Sequence, residues 1–185
     1  IMSIVVLLSG SGTNLQAIMD AGHPFINEGR INVKFVMSDR HDAYGLTRAK
    51  EKKIPTLSQP RLNLLEKEVT KLCKANKVEL IVLAGFMRLL NPGFVKKWKG
   101  KIINIHPSLL PSFKGAHAIK KAYNYGVKYT GVTVHYVDKG MDTGSIIAQE
   151  VVPIKKSDTL ASLEEKIHKA EHKLYPNTIR ELLNG

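Results

Sequence analysis

Asn104 and His106 stand two positions apart at the end of the apolar run Lys101–His106 (KIINIH), directly before Pro107. Strand side chains alternate faces, so a strand over 101–106 points both residues the same way. An amide beside an imidazole offers two hydrogen-bond donors, one of which also takes and gives a proton near neutral pH. That equipment suits a group transfer that passes through an oxyanion. Pro107 biases His106 toward extended backbone and stops the pairing, which places the pair at the carboxyl end of the strand, where open α/β sheets keep their ligands. The plainer alternative is a strand end followed by a two-proline loop, with both side chains merely hydrogen-bonded.

Three further motifs could carry chemistry. Gly10-Ser11-Gly12-Thr13-Asn14 follows the apolar run Ile4–Leu8 and opens a helical pattern, so its backbone N–H groups and the helix N-terminus form an anion site, with Gly12 allowing close approach. Leu15 occupies the place of the third glycine of a dinucleotide fingerprint, yet Asp39 at the end of the second strand keeps a nicotinamide cofactor open as an alternative. In the stretch Leu83–Leu90 (LAGFMRLL), the small Ala84 and Gly85 let a flat ligand approach the backbone, and Phe86 to Leu90 could wall a pocket; by periodicity alone these residues are core. His168-Lys169-Ala170-Glu171-His172 matches the zinc-protease pattern H-x-x-E-H, but Glu181 is the sole acidic side chain after it, so no metal site is expected.

The elements that must position these residues alternate between apolar runs and amphipathic stretches, the pattern of an α/β protein with an open, mostly parallel, twisted sheet. Strands are predicted near 3–8, 32–38, 55–58, 79–84, 101–106, 130–137 and 145–152. Helices are predicted over 14–21, 43–52, 62–74, a short stretch after Pro92, 117–125, and a long last one from Asp158. Asp158 is the predicted N-cap of that last helix, with Leu160, Leu163, Ile167, Ala170 and Leu174 on its buried stripe and Pro176 expected to kink or end it. Val132, Val134 and Tyr136 alternate with Thr133 and His135, and the Gly140 turn leads back into 144–152, so an antiparallel C-terminal hairpin is expected with Asp142 on its connection.

The 28 Lys plus Arg against 16 Asp plus Glu give a net charge of +12, which favours anionic partners. The basic residues are scattered instead of lining one stripe with aromatics, so nucleic acid is not the expected partner. The apolar run Ile4–Leu8 is too short for a membrane span, and a cytoplasmic protein of one domain, residues 1–185, is expected. The single cysteine, Cys73, falls on the apolar spacing of the third helix and is expected to be buried and inert.

A family resemblance runs along the whole chain. NIHPSLLP, followed by Phe113, Gly115 and His117, resembles the signature of the folate-dependent formyltransferases, and Asp142 in VDKGMDTGSII stands where that family keeps its catalytic aspartate. SGSGTNLQAI from Ser9 and LAGFMR from Leu83 resemble the branch that formylates glycinamide ribonucleotide in de novo purine biosynthesis. The resemblance implies a Rossmann-like formyltransferase fold, with residues 1–100 a nucleotide-binding-like half and 101–185 the catalytic and folate-binding half. It implies 10-formyltetrahydrofolate as co-substrate, no metal, and Asn104, His106 and Asp142 as the catalytic residues. It implies contacts to the ribonucleotide from Gly10, Ser11, Gly12, Thr13 and Asn14, with Gly85, Pro107 and Glu171.

For the folate, the resemblance implies Leu83, Met87, Arg88, Leu89 and Leu90 around the pterin, helped by Ile102, Val137 and Met141, with Asn104 and Asp142 shared. Arg61 stands at the position that meets the glutamate carboxylate, although its surroundings (PRLNLLEKE) depart from the family pattern. Lys114 stands where many relatives have proline, and a cis Leu110–Pro111 bond is implied. The implied partners are the two small molecules, with no nucleic acid and no membrane, acting on a monomer or homodimer. Methionyl-tRNA formyltransferase and formyltetrahydrofolate hydrolase share the core signature, but each carries an extra domain for which this chain is not expected to have room. A non-catalytic nucleotide- or RNA-binding module would fit fold and charge and leave Asn104, His106 and Asp142 unexplained.

Overall fold

A computed structural model describes residues 3–21 and 31–185. Its strands are β1 (Ser3–Leu8), β2 (Asn32–Ser38), β3 (Thr56–Ser58), β4 (Leu80–Leu83), β5 (Ile102–His106), β6 (Tyr129–Tyr136) and β7 (Ile146–Pro153). Its helices are α1 (Thr13–Ala21), α2 (Tyr44–Glu51), α3 (Leu62–Ala75), α4 (Pro92–Lys97), α5 (Ala118–Tyr125) and α6 (Leu160–Asn184). Among the described residues the strands form one seven-stranded sheet in the order β3-β2-β1-β4-β5-β6-β7. The first five pair in parallel, while β6 pairs antiparallel with both β5 and β7. The connection from Val137 to Ser145 is too short for a parallel crossover, which needs a dozen or more residues, so the expected hairpin is the outcome.

Alternation along the strands divides the core into two layers. Ile4, Val6, Leu8, Ile103, Ile105 and Val134 face α1, α2 and α6, whereas Val5, Leu7, Ile81, Leu83 and Ile102 face α3 and α4. A third cluster joins Val132 and Val152 to Leu163, Ile167 and Ala170 of α6. Each fully buried aliphatic side chain contributes about 1.5–3 kcal/mol, so these faces fix the register of every strand. Cys73 lies inside the α3 layer, where burial pushes its thiol pKa up to about 12 and leaves it an inert apolar filler.

One expectation about α6 needs correction and another, that Pro176 kinks or ends it, loses its second half. Its N-cap is Thr159, one residue later than Asp158, because Thr159 and Ser162 form a reciprocal capping box: the Ser162 N–H donates to Thr159 Oγ1 at 3.1 Å and the Thr159 N–H to Ser162 Oγ at 3.0 Å. Asp158 braces the same end from outside, accepting the Lys155 N–H at 2.7 Å and pairing with Lys166. Pro176 does not end the helix, which continues to Asn184. An interior proline costs about 3 kcal/mol, and here the surrounding turn is held by tertiary burial: Tyr175 and Ile179 are fully buried and the Tyr175 hydroxyl donates to Leu83 O at 2.6 Å. Of the predicted stripe, Leu163, Ile167 and Ala170 are buried, while Leu160 and Leu174 are only half-buried.

Candidate active site

The strand order reverses direction between β1 and β4, and in such sheets a crevice opens beyond the carboxyl ends at that point. The loops that leave β1, β4 and β5 there carry Gly10–Asn14, Gly85–Leu90 and Pro107–His117.

Asn104 and His106 do share a face, the one covered further back by α3 and α4. His106 is buried, and its Nε2 lies 2.9 Å from the Phe113 carbonyl oxygen. A carbonyl only accepts, so Nε2 carries a proton and donates there. The other ring nitrogen, Nδ1, faces Asp142 Oδ2 at 3.4 Å. That separation exceeds the roughly 2.7–2.9 Å of a tight charge-assisted bond, leaving Nδ1 able to exchange its partner for an entering oxygen.

Asp142 reaches the site because residues 138–143 form a braced turn. Asp138 Oδ1 accepts the Gly140 N–H at 2.9 Å and the Thr143 hydroxyl at 2.6 Å. The Thr143 hydroxyl, followed by the Gly140 N–H, holds the Asp138 carboxyl below its usual pKa. Asp142 itself has φ +53°, a left-handed conformation that aspartate tolerates better than most residues, and its Oδ2 accepts the Gly115 N–H at 2.8 Å. The loop after β5 thus grips both members of the pair, His106 through Phe113 O and Asp142 through Gly115 N. Leu110–Pro111 is cis, as the resemblance implies.

Sequence reasoning passed over His135. It sits directly opposite Asn104 in the β5–β6 ladder, with Nδ1 2.9 Å from Tyr136 O and Nε2 3.5 Å from Asn104 Nδ2 and 3.8 Å from Asp142 Oδ1. With Nδ1 donating to Tyr136 O, the tautomer that leaves Nε2 without a proton accepts from the Asn104 amide nitrogen. The available signal was weak: the alternation in β6 puts Thr133 and His135 on one face, but only the register of the antiparallel pair says which β5 residues they meet.

The Gly10–Asn14 turn is braced by α2. Gly45 N–H donates to Gly10 O at 3.0 Å, and Arg48 Nε–H donates to Ser11 O at 2.8 Å. Gly12 has φ +74°, and a Cβ there would stand 2.5 Å from the Gly45 Cα. This revises the expected reason for Gly12: the space it leaves is taken by the backbone of α2, not reserved for an anion alone. Asn14 Oδ1 is buried with no hydrogen-bond partner among the described residues, and Ser11 and Thr13 are exposed.

Along the β4 loop, Gly85 has φ +70° with no atom of the described residues near its Cβ position, so the backbone there is open to approach. Met87, Leu89 and Met141 are strongly exposed apolar side chains at this edge, 79%, 58% and 57% respectively. Leu83, Leu90 and Ile102 are instead buried with α3 and α4, so their side chains serve the core. Val137 is half-buried against the same core, and Pro107 is half-buried at the end of β5. Arg61 is exposed at the N-terminus of α3, beside Pro60, whose carbonyl lies 3.5 Å from Arg88 Nη1. The dinucleotide reading of Asp39 has no support in the geometry, because that carboxylate is already engaged by the Ser9 hydroxyl at 2.6 Å.

Glu171 is buried on α6 and bonded to His168 Nδ1 at 3.0 Å. That bond raises the His168 pKa, whereas burial lowers that of His172, whose ring stacks on His168. The H-x-x-E-H pattern therefore resolves into a carboxylate and histidine pair, and among the described residues no His, Cys, Asp or Glu group gathers in ligand geometry.

The family model described as formyl transferase matches residues 2–179, and the chain belongs to that family. More narrowly, it is 42% identical to the phosphoribosylglycinamide formyltransferase of Bacillus subtilis (strain 168) over 96% of this chain and 93% of that protein. The crystal structure of glycinamide ribonucleotide transformylase 1 from Geobacillus kaustophilus superposes with a TM-score of 0.90 at 45% identity, covering 98% of both chains. The trifunctional purine biosynthetic protein adenosine-3 of Drosophila melanogaster is 44% identical over 98% of this chain, which spans only 14% of that much longer protein.

Proposed function

We propose that this protein transfers the formyl group of 10-formyltetrahydrofolate to the amine of glycinamide ribonucleotide, releasing formylglycinamide ribonucleotide and tetrahydrofolate. The observation that carries this reading is the convergence of Asn104, His106 and Asp142 at the carboxyl end of β5, beside a glycine turn suited to a phosphate. The acceptor amine attacks the formyl carbon, and the resulting oxyanion takes a hydrogen bond from the Asn104 amide and one from His106. The amine then loses a proton, the bond from the formyl carbon to the folate nitrogen breaks, and that nitrogen gains a proton, with His106 and Asp142 as the relay. His135 holds the Asn104 amide nitrogen in place by accepting one of its two N–H groups. The folate brings the activated one-carbon unit, and the protein supplies placement and electrostatics.

In this assignment Gly10–Asn14, Gly85, Pro107 and Glu171 receive the ribonucleotide. The exposed Met87, Leu89 and Met141 and the backbone from Leu83 to Leu90 enclose the pterin, Ile102 and Val137 back it from the core, and Arg61 meets the folate's carboxylate tail. The protein acts in the cytoplasm on two small molecules, as a monomer or homodimer; no helix of the described residues is long and apolar enough to cross a membrane. Purified protein given 10-formyltetrahydrofolate is expected to formylate glycinamide ribonucleotide and not methionyl-tRNA. Turnover of the tRNA without turnover of the ribonucleotide would overturn the assignment.

A further inference from the structure

Asp39 is a buried carboxylate that the chemistry above does not use. It directly follows β2, is 8% exposed, and is held by a chain of hydrogen bonds. The Met87 N–H donates to Ser9 Oγ at 2.9 Å, and the Ser9 hydroxyl donates its single proton to Asp39 Oδ1 at 2.6 Å. The Met87 amide N–H only donates, so Ser9 Oγ accepts there and turns its own proton to Asp39. On its other side Asp39 Oδ2 lies 3.9 Å from Arg88 Nη1, and that guanidinium also reaches Pro60 O at 3.5 Å. Ser9 is itself 4% exposed, and its N–H donates to Gly85 O at 3.0 Å. Thus one hydroxyl and one carboxylate tie the ends of β1 and β2 to both sides of the Gly85–Arg88 turn.

A buried carboxylate is retained only where hydrogen bonds and opposite charge compensate its lost hydration. Here both compensating groups lie in, or directly join, the loop assigned to the folate: Ser9 Oγ through the Met87 amide, and Arg88 by charge. Neither reaches the β5–β6 cluster where the formyl group would react.

We infer that Asp39 is a positioning residue for the folate site, acting through Ser9 and Arg88 to hold the Gly85–Arg88 turn in its ligand-ready shape. This rests on the formyl-transfer reading. The role predicts an effect on one substrate only. Asp39→Asn keeps the shape and an acceptor for the Ser9 hydroxyl but removes the charge that Arg88 faces. It should raise the Michaelis constant for 10-formyltetrahydrofolate about five-fold, the worth of one partly exposed ion pair, while kcat and the constant for glycinamide ribonucleotide stay within about two-fold. In an Arg88→Gln background the same substitution should add nothing further to the folate constant, since the partner charge is already gone.

Initial-rate kinetics with both substrates varied, on the wild type and the three variants, test this. An unchanged folate constant in Asp39→Asn, an equal rise in both constants, or a full effect surviving in the Arg88→Gln background would each overturn the positioning role. A wild-type protein that turns over neither substrate would instead overturn the formyl-transfer reading, so the two failures are distinct.

Discussion

The glycine turn after β1 and the cluster at the end of β5 lie on one edge of the sheet and are built in opposite ways. Gly10–Asn14 is one short segment at a helix N-terminus, to which the fold adds a brace from Gly45 and Arg48; in the proposed function it meets its ligand through backbone N–H groups. The β5 cluster uses side chains from two strands and a turn, Asn104, His106, His135 and Asp142, and is held by carbonyls and amides of a fourth segment, Phe113 and Gly115. Backbone recognition tolerates change in side chains but not in space, whereas the side-chain cluster tolerates changes of volume better than loss of a functional group.

The comparison breaks first at the cluster. Alanine at Asn104, His106 or Asp142 should each lower turnover by at least about 10²-fold with folding kept, and the losses should not add, because the three act on one transition state. His135→Ala should cost less, about ten-fold, and should add little to Asn104→Ala, since it works by holding that amide. Steady-state kinetics with thermal unfolding as the folding control decide this; near wild-type turnover in a folded His106→Ala protein would remove the proton relay from the mechanism.

At the turn, the expected effects are on space and binding. Gly12→Val drives a side chain into the Gly45 backbone at a positive φ, so it should destabilise the fold by about 1–3 kcal/mol as well as weaken ribonucleotide binding. Arg48→Met leaves the Gly12–Gly45 contact alone and removes the guanidinium's bonds to Ser11 O and Gln16 Oε1 and its place over the Tyr44 ring; it should raise the ribonucleotide Michaelis constant about five-fold without changing the folate's. If Arg48→Met disturbed the folate constant instead, the two ligands would have been placed the wrong way round.

The smallest effect lies far from both. The Lys166 side chain, then the Lys155 N–H, depress the Asp158 carboxyl to a pKa of about 2 from an ordinary 3.8. A depressed carboxylate contributes stability that is present above its unfolded pKa and lost as pH falls through its folded one. Asp158→Asn should therefore flatten the acid limb of unfolding between about pH 4 and pH 2 and leave turnover at neutral pH unchanged, a result read from urea midpoints across that range.

Much of this was legible in the residue order. The alternation of apolar runs with amphipathic stretches placed the seven strands and six helices of the described residues within a few residues, the end of α6 apart, because periodicity of two or 3.6 reports directly which side chains are buried. Asn-x-His before proline placed two polar groups on one face, and a glycine turn between strand and helix marked a backbone suited to an anion. Only the tertiary structure decided three matters. The register of β6 on β5 set His135 against Asn104, a pairing of residues far apart in the chain that local pattern does not encode. The packing of α2 on the first turn gave Gly12 its neighbour, Gly45. The burial of Tyr175 and Ile179 carried α6 through Pro176, where local propensity says stop, because long-range burial is worth more than the one helical hydrogen bond that proline removes.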